Sequence, residues 1–85
     1  MRLLNEGEQR VLTYMLKKKK ATVREIVFGV AGSPNTILKN INSLVEMGLL
    51  AEKRENRFPF RRVLTLTAKG EQVAKHLTKA YEVMK

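Results

Sequence analysis

The residues best equipped for chemistry in this 85-residue chain are amides, hydroxyls and cations, gathered in two segments. The first is SPNTILKNINSLVEM, residues 33–47. On a helix of about 3.6 residues per turn, placing Ile37, Ile41 and Leu44 inward turns Asn35, Thr36, Lys39, Asn42 and Ser43 outward, with Asn40 on the flank. Asn pairs bidentately with adenine, Lys reaches guanine acceptors or phosphate, and Thr or Ser donates or accepts. Glu46 also faces outward, but near the C-terminal end, whereas the N-terminal residues of such a helix are the ones that enter a groove. Asn, Ser and Thr are poor helix formers. A face shaped only for solubility would carry Glu and Lys, so function has overridden propensity here.

The second segment is basic. Arg54, Arg57, Arg61 and Arg62 cluster with Lys53 around a hairpin pattern, and arginine suits phosphate forks and narrow minor grooves. Glu52 and Glu55 interrupt the cluster and offer some of these arginines ion-pair partners across the strands. Arg57 and Arg61 flank the Phe58-Pro59-Phe60 tip and are the best candidates for contact with nucleic-acid backbone. The two phenylalanines fit three roles equally: stacking on each other, contacting sugars, or covering the hairpin base. A weaker set, Lys20, Thr22 and Arg24, surrounds the turn between the first two helices, where a helix N-terminus favours phosphate.

Charge agrees with this chemistry. Seventeen Lys plus Arg against eight acids give a net charge of +9, which favours a polyanionic partner through counterion release. Several other classes are excluded. With no cysteine there are no disulfides, thiolate metal sites or cysteine nucleophile, and the single His76 builds neither a metal cluster nor a relay. No metal, no cofactor and no enzyme activity is expected: the chain lacks a phosphate-binding glycine loop, a nucleophile elbow and a spaced carboxylate pair. No apolar stretch approaches the roughly 18 residues of a membrane span, and no signal-peptide pattern opens the chain, so a cytoplasmic location without membrane contact is expected.

The elements that must position these residues are legible from caps and periodicity. The length suits one domain, residues 1–85. Asn5 and Glu8 form a capping-box start, followed by Val11, Leu12, Met15 and Leu16 on one face, and Lys17 to Lys20 close this first helix. Leu3 and Leu4 precede it and could pack on the domain or a second subunit. Thr22 and Glu25 repeat the capping box before a short helix over Val23 to about Val30, with Ile26, Val27 and Val30 buried and Gly29 allowing close packing. Ser33 caps the third helix, Pro34 takes its first position and Gly48 ends it in a Schellman close with Leu49. Leu50 to about Lys53 and Arg62 to Thr67 read as the two strands of a wing. Thr67 then caps a last helix, about residues 67–84, with Val73, Ala74, Leu77, Ala80, Tyr81 and Met84 as its apolar stripe.

This order predicts an α+β fold, a winged helix-turn-helix with a three-helix core, a two-stranded β-wing and a C-terminal helix. Two motifs carry a family resemblance: Leu44-Val45-Glu46-Met47-Gly48-Leu49 at the end of the third helix, and Leu66-Thr67-Ala68-Lys69-Gly70 after the wing. Over about residues 5–80 the chain resembles the MarR-type winged-helix transcription regulators, in a minimal form such as those of archaea, their viruses and plasmids. It departs from that family's pattern in lacking the Asp-x-Arg of the wing, since the chain has no Asp.

The resemblance implies a homodimer joined through terminal helices on double-stranded DNA, repressing or activating at a pseudo-palindromic operator. It points to Asn35, Thr36, Lys39, Asn40 and Ser43 on the recognition helix, and to Arg57 and Arg61 on the wing, as DNA contacts. Ser33, Arg54, Arg62, Thr22 and Arg24 complete the expected set. Two alternatives stay open: a winged-helix module that docks on protein, for which Phe58 and Phe60 count slightly, and a non-specific architectural nucleic-acid binder.

Overall fold

Asn5 and Glu8 exchange hydrogen bonds at the first helix start. The computed structural model describes residues 4–84, with the side chains of Tyr81, Glu82 and Met84 outside that description. In it, α1 (Glu6–Lys18) opens with a complete capping box. The Glu8 N–H donates to the Asn5 side chain at 2.7 Å, and the Asn5 N–H donates to the Glu8 carboxylate at 2.9 Å. Two backbone donors that the helix itself cannot pair are thereby satisfied. Val11, Leu12 and Met15 line the buried side of the helix.

The lysine run departs from expectation. Lys17 and Lys18 do end α1, but Lys19 takes a positive φ of 67°, and Lys20–Thr22 forms a short strand, β1. Thr22 closes β1 and at once caps α2 (Val23–Gly29), accepting from the Glu25 N–H at 3.2 Å while its own N–H donates to Glu25 at 3.0 Å. Ile26 and Val30 are buried. A Cβ on Gly29 would lie 2.5 Å from the Tyr14 ring, so α2 approaches α1 more closely than a larger residue would permit.

In α3 (Pro34–Glu46), Ile37, Ile41 and Leu44 are buried, as their spacing requires. Its close is a complete Schellman motif: the Leu49 N–H donates to the Leu44 carbonyl and the Gly48 N–H to the Val45 carbonyl, both at 3.0 Å, with Gly48 at φ 76°.

β2 (Leu50–Arg54) and β3 (Arg62–Leu66) form the hairpin, but the sheet has three strands in the order β1-β3-β2, antiparallel throughout. The expected two-stranded wing is therefore corrected by one strand: Ala21 pairs with Leu64, placing β3 in the centre. Three residues are too few to show an alternating pattern, and Thr22 already carries the signature of the helix that follows. Alternation along the sheet puts Leu50 and Leu64 in the core. Beyond the helices the same face continues as Glu52, Arg54 and Arg62, because residues two apart share a face.

Before α4 (Ala68–Met84), the Thr67 N–H donates to the Leu49 carbonyl at 3.2 Å. The Thr67 hydroxyl lies 2.7 Å from the Gly48 carbonyl and accepts from the Gly70 N–H at 2.9 Å. A Cβ on Gly70 would collide with the Leu49 carbonyl group. The two motifs singled out in the sequence thus meet in space as one clasp between the end of α3 and the start of α4. Ala74 is buried and Val73 and Leu77 pack against the core, so much of the α4 stripe is used within the chain, α4 lying along α1. Roles expected of Leu3, Tyr81 and Met84 fall outside the described residues. Among those residues, no helix is long and apolar enough to cross a membrane.

Candidate nucleic-acid interface

Helix α3 presents Asn35, Thr36, Lys39 and Asn42 to solvent, with Ser43 half-buried beside them. At the N-terminal end, Ser33 accepts from the Thr36 N–H at 3.4 Å and its hydroxyl donates to the Thr36 hydroxyl at 2.9 Å. These two side chains therefore cap the helix as well as facing outward. Lys39 forms no ion pair among the described residues, so its ammonium is available to an anion.

Asn40 is the correction on this face. It is only 6% exposed. Its amide oxygen accepts from the Asn5 amide at 3.4 Å, and a Cβ on Gly7 would stand 3.2 Å from its side-chain carbon. Three residues after Ile37 and one before Ile41, position 40 sits at the edge of the buried stripe, and Gly7 of α1 leaves it room. Asn40 joins α1 to α3 and is not available to a base.

The wing sorts its arginines into tethered and free. Arg61 grips Glu55 with two side-chain bonds of 2.7 and 3.2 Å, and this pairing raises the Arg61 pKa and lowers that of Glu55. Arg62 bonds Glu52 and also reaches across to Asn42 of α3. Arg54 and Arg57 are exposed and make no ion pair among the described residues. At the tip, Phe58 and Phe60 form an edge-to-face pair with ring centroids 6.3 Å apart, yet remain 86% and 54% exposed. They neither cover the hairpin base nor enter the core.

On the third candidate set, the Thr22 hydroxyl is committed to the capping box, bonding Glu25 at 3.1 Å. Hydrogen bonds from the Thr22 N–H and then its hydroxyl hold the Glu25 carboxyl below its ordinary range. Arg24 is exposed, with its guanidinium 5.6 Å from the centre of the Phe28 ring. Asn42 faces outward, as its spacing predicts, and is not among the expected contacts. Its partner Arg62 is 20 residues away, and no local pattern announces that bond.

The helix–helix–helix–wing–helix order, with an open polar face on α3 beside a basic hairpin, is a winged helix-turn-helix fold. Solved structures share it. BpsR of Bordetella bronchiseptica, whose DNA binding is regulated by 6-hydroxynicotinic acid, superimposes with a TM-score of 0.85 at 20% identity over 93% of this chain and 60% of that one. ZitR of Lactococcus lactis gives 0.81 at 23% identity over 95% of this chain and 61% of its own. A transcriptional regulator homologue from Pyrococcus horikoshii gives 0.81 at 20% identity over 94% and 80%. This chain thus spans about 60% of the length of BpsR and ZitR. At these identities the likeness is one of fold. No family model and no curated protein matches the chain.

Proposed function

We propose that the protein is a sequence-specific, double-stranded DNA-binding transcriptional regulator. Helix α3 enters the major groove and the wing lies on the adjacent backbone or minor groove. The observation that carries this reading is that α3 exposes amides, a hydroxyl and Lys39 while the wing, joined to α3 by the Arg62–Asn42 bond, exposes Arg54 and Arg57, these three cations making no ion pair among the described residues. The net charge of +9 and a fold shared with transcription regulators support it. A symmetric dimer through the terminal helices would set two such helices roughly 34 Å apart, one turn of DNA. Exposed Ala80 and Val83 on α4 are apolar positions that such a contact would cover.

Selection from random duplexes, followed by titration of the selected and a scrambled duplex at several salt concentrations, tests the proposal. A recovered motif, a preference of on the order of a thousandfold and a steep salt slope are expected. Asn35→Ala or Lys39→Ala should lose discrimination between the two duplexes. Equal binding to both at every salt concentration would leave only an architectural binder. One observation favours protein docking instead: all three phenylalanines are exposed, Phe28 by 77%. Absence of duplex binding even at low salt would move the assignment there.

A further inference from the structure

Arg62 does what no other cation among the described residues does: it ties the third helix to the wing. Its Nε donates to Glu52 at 2.8 Å, its Nη2 reaches the same carboxylate, and Nη2 donates to Asn42 Oδ1 at 3.0 Å. The Arg62 and Glu52 side chains are each 28% exposed, whereas Asn42 faces solvent on α3. The inner face of the sheet, running out past Leu64, brings Arg62 to this place.

A guanidinium carries donors only. The Asn42 atom that meets it is therefore the amide oxygen, whichever way an amide might otherwise be turned, and the NH2 group is directed elsewhere. An unrestrained asparagine offers oxygen and nitrogen side by side, which is how it pairs with N6 and N7 of adenine. Here the oxygen already accepts from a charged donor. That bond draws electron density from the oxygen, making it a poorer acceptor for a second partner and the NH2 a better donor.

We infer that Asn42 reads a base as a hydrogen-bond donor and selects guanine, with Arg62 as the positioning residue that sets its amide. Guanine presents two acceptors, N7 and O6, in the major groove, and both suit an NH2 group. Adenine presents N7 but also an N6 donor, which asks for the engaged oxygen. Cytosine presents only a donor and is disfavoured. This inference rests on the proposed placement of α3 in the major groove.

Selection from random duplexes with the whole chain and three variants tests it, with far-UV circular dichroism and random-duplex affinity as folding controls. The wild type should show guanine at one position in each bound site that Asn42→Ala makes indifferent, roughly tenfold, while the other positions hold. Asn42→Asp keeps an acceptor for Arg62 but removes the donor, and should move that position to cytosine. Arg62→Met frees the amide and should admit adenine there and nowhere else. A purely structural role for Arg62 would lower stability without changing that one base. The inference is overturned if Asn42→Ala leaves the motif intact, if the preferred base is adenine or cytosine, or if Arg62→Met keeps the wild-type preference. Failure of the wild type to select any motif removes the DNA-reading proposal itself, and this inference with it.

Discussion

Replacing Gly70 with alanine sets two effects of opposite sign against each other. In a helix, alanine is better than glycine by roughly 0.5–1 kcal/mol, because glycine loses more backbone freedom on folding. Gly70 lies in the first turn of α4, so propensity alone says the variant should be stabilised. The tertiary structure says otherwise. The new Cβ would overlap the Leu49 carbonyl oxygen, standing 2.9 Å from its carbon and 3.1 Å from Leu66 Cδ1. Backbone held by the Schellman close cannot swing aside as a side-chain tip would. Overpacking of this kind costs roughly 1–3 kcal/mol. Displacing α4 also stretches the Thr67 bonds to Gly48, Leu49 and Gly70, the loss of a helix cap being worth about 1 kcal/mol.

The net expectation is a loss of roughly 1–3 kcal/mol, and each kcal/mol lowers the melting temperature of a domain this size by roughly 4–8 °C. Far-UV circular dichroism melts and urea titrations would measure it, at two protein concentrations so that association does not masquerade as stability. A melting temperature equal to or above wild type would refute the close-approach account of this glycine.

Other outcomes follow from the interface. Arg57→Ala should weaken selected and scrambled duplexes alike and reduce the slope of log K against log salt by about 0.9 per lost phosphate contact, read from the same titrations. An unchanged slope would remove Arg57 from the DNA contact. Asn40→Ala should lower the melting temperature while leaving the selected motif unaltered, since its amide is buried against Asn5; a changed motif would return it to the reading face. Glu25, Glu55 and Glu71 all have folded pKa values below the ordinary 4.5, through hydrogen bonds from Thr22, Arg61 and Lys75 respectively. A lowered folded pKa contributes stability that is present above the unfolded value and lost as pH falls through the folded one. The melting temperature should therefore drop below about pH 4.5. Glu55→Gln should flatten that drop only at low salt, because screening weakens its ion pair, and Glu25→Gln should flatten it at high salt too.

Local signals made most of the fold legible. The cap residues Asn5, Thr22, Ser33 and Thr67 act through bonds to residues three positions away. Gly48 and Leu49 close α3 within six residues of Leu44. Apolar spacing along α3 identified Ile37, Ile41 and Leu44 as core and so oriented the opposite face. β1 was not legible, because three residues carry no period and their partners on β3 lie 41 or more positions away, as in Thr22 with Val63.

What the amino-acid order settled, then, is whatever depends on neighbours within a turn or two: caps, stops, stripe and hairpin. The folded chain alone settled which polar groups remain free. Asn40 and Asn42 are two residues apart and chemically identical, yet one is closed in by Gly7 and Asn5 and the other meets Arg62 at the helix surface. Arg57 and Arg61 flank the same tip, yet of the two only Arg61 finds a carboxylate among the described residues. The physical reason is that a hydrogen bond or ion pair between distant residues depends on distance in space, over a few ångströms, while composition and periodicity report only position along the chain.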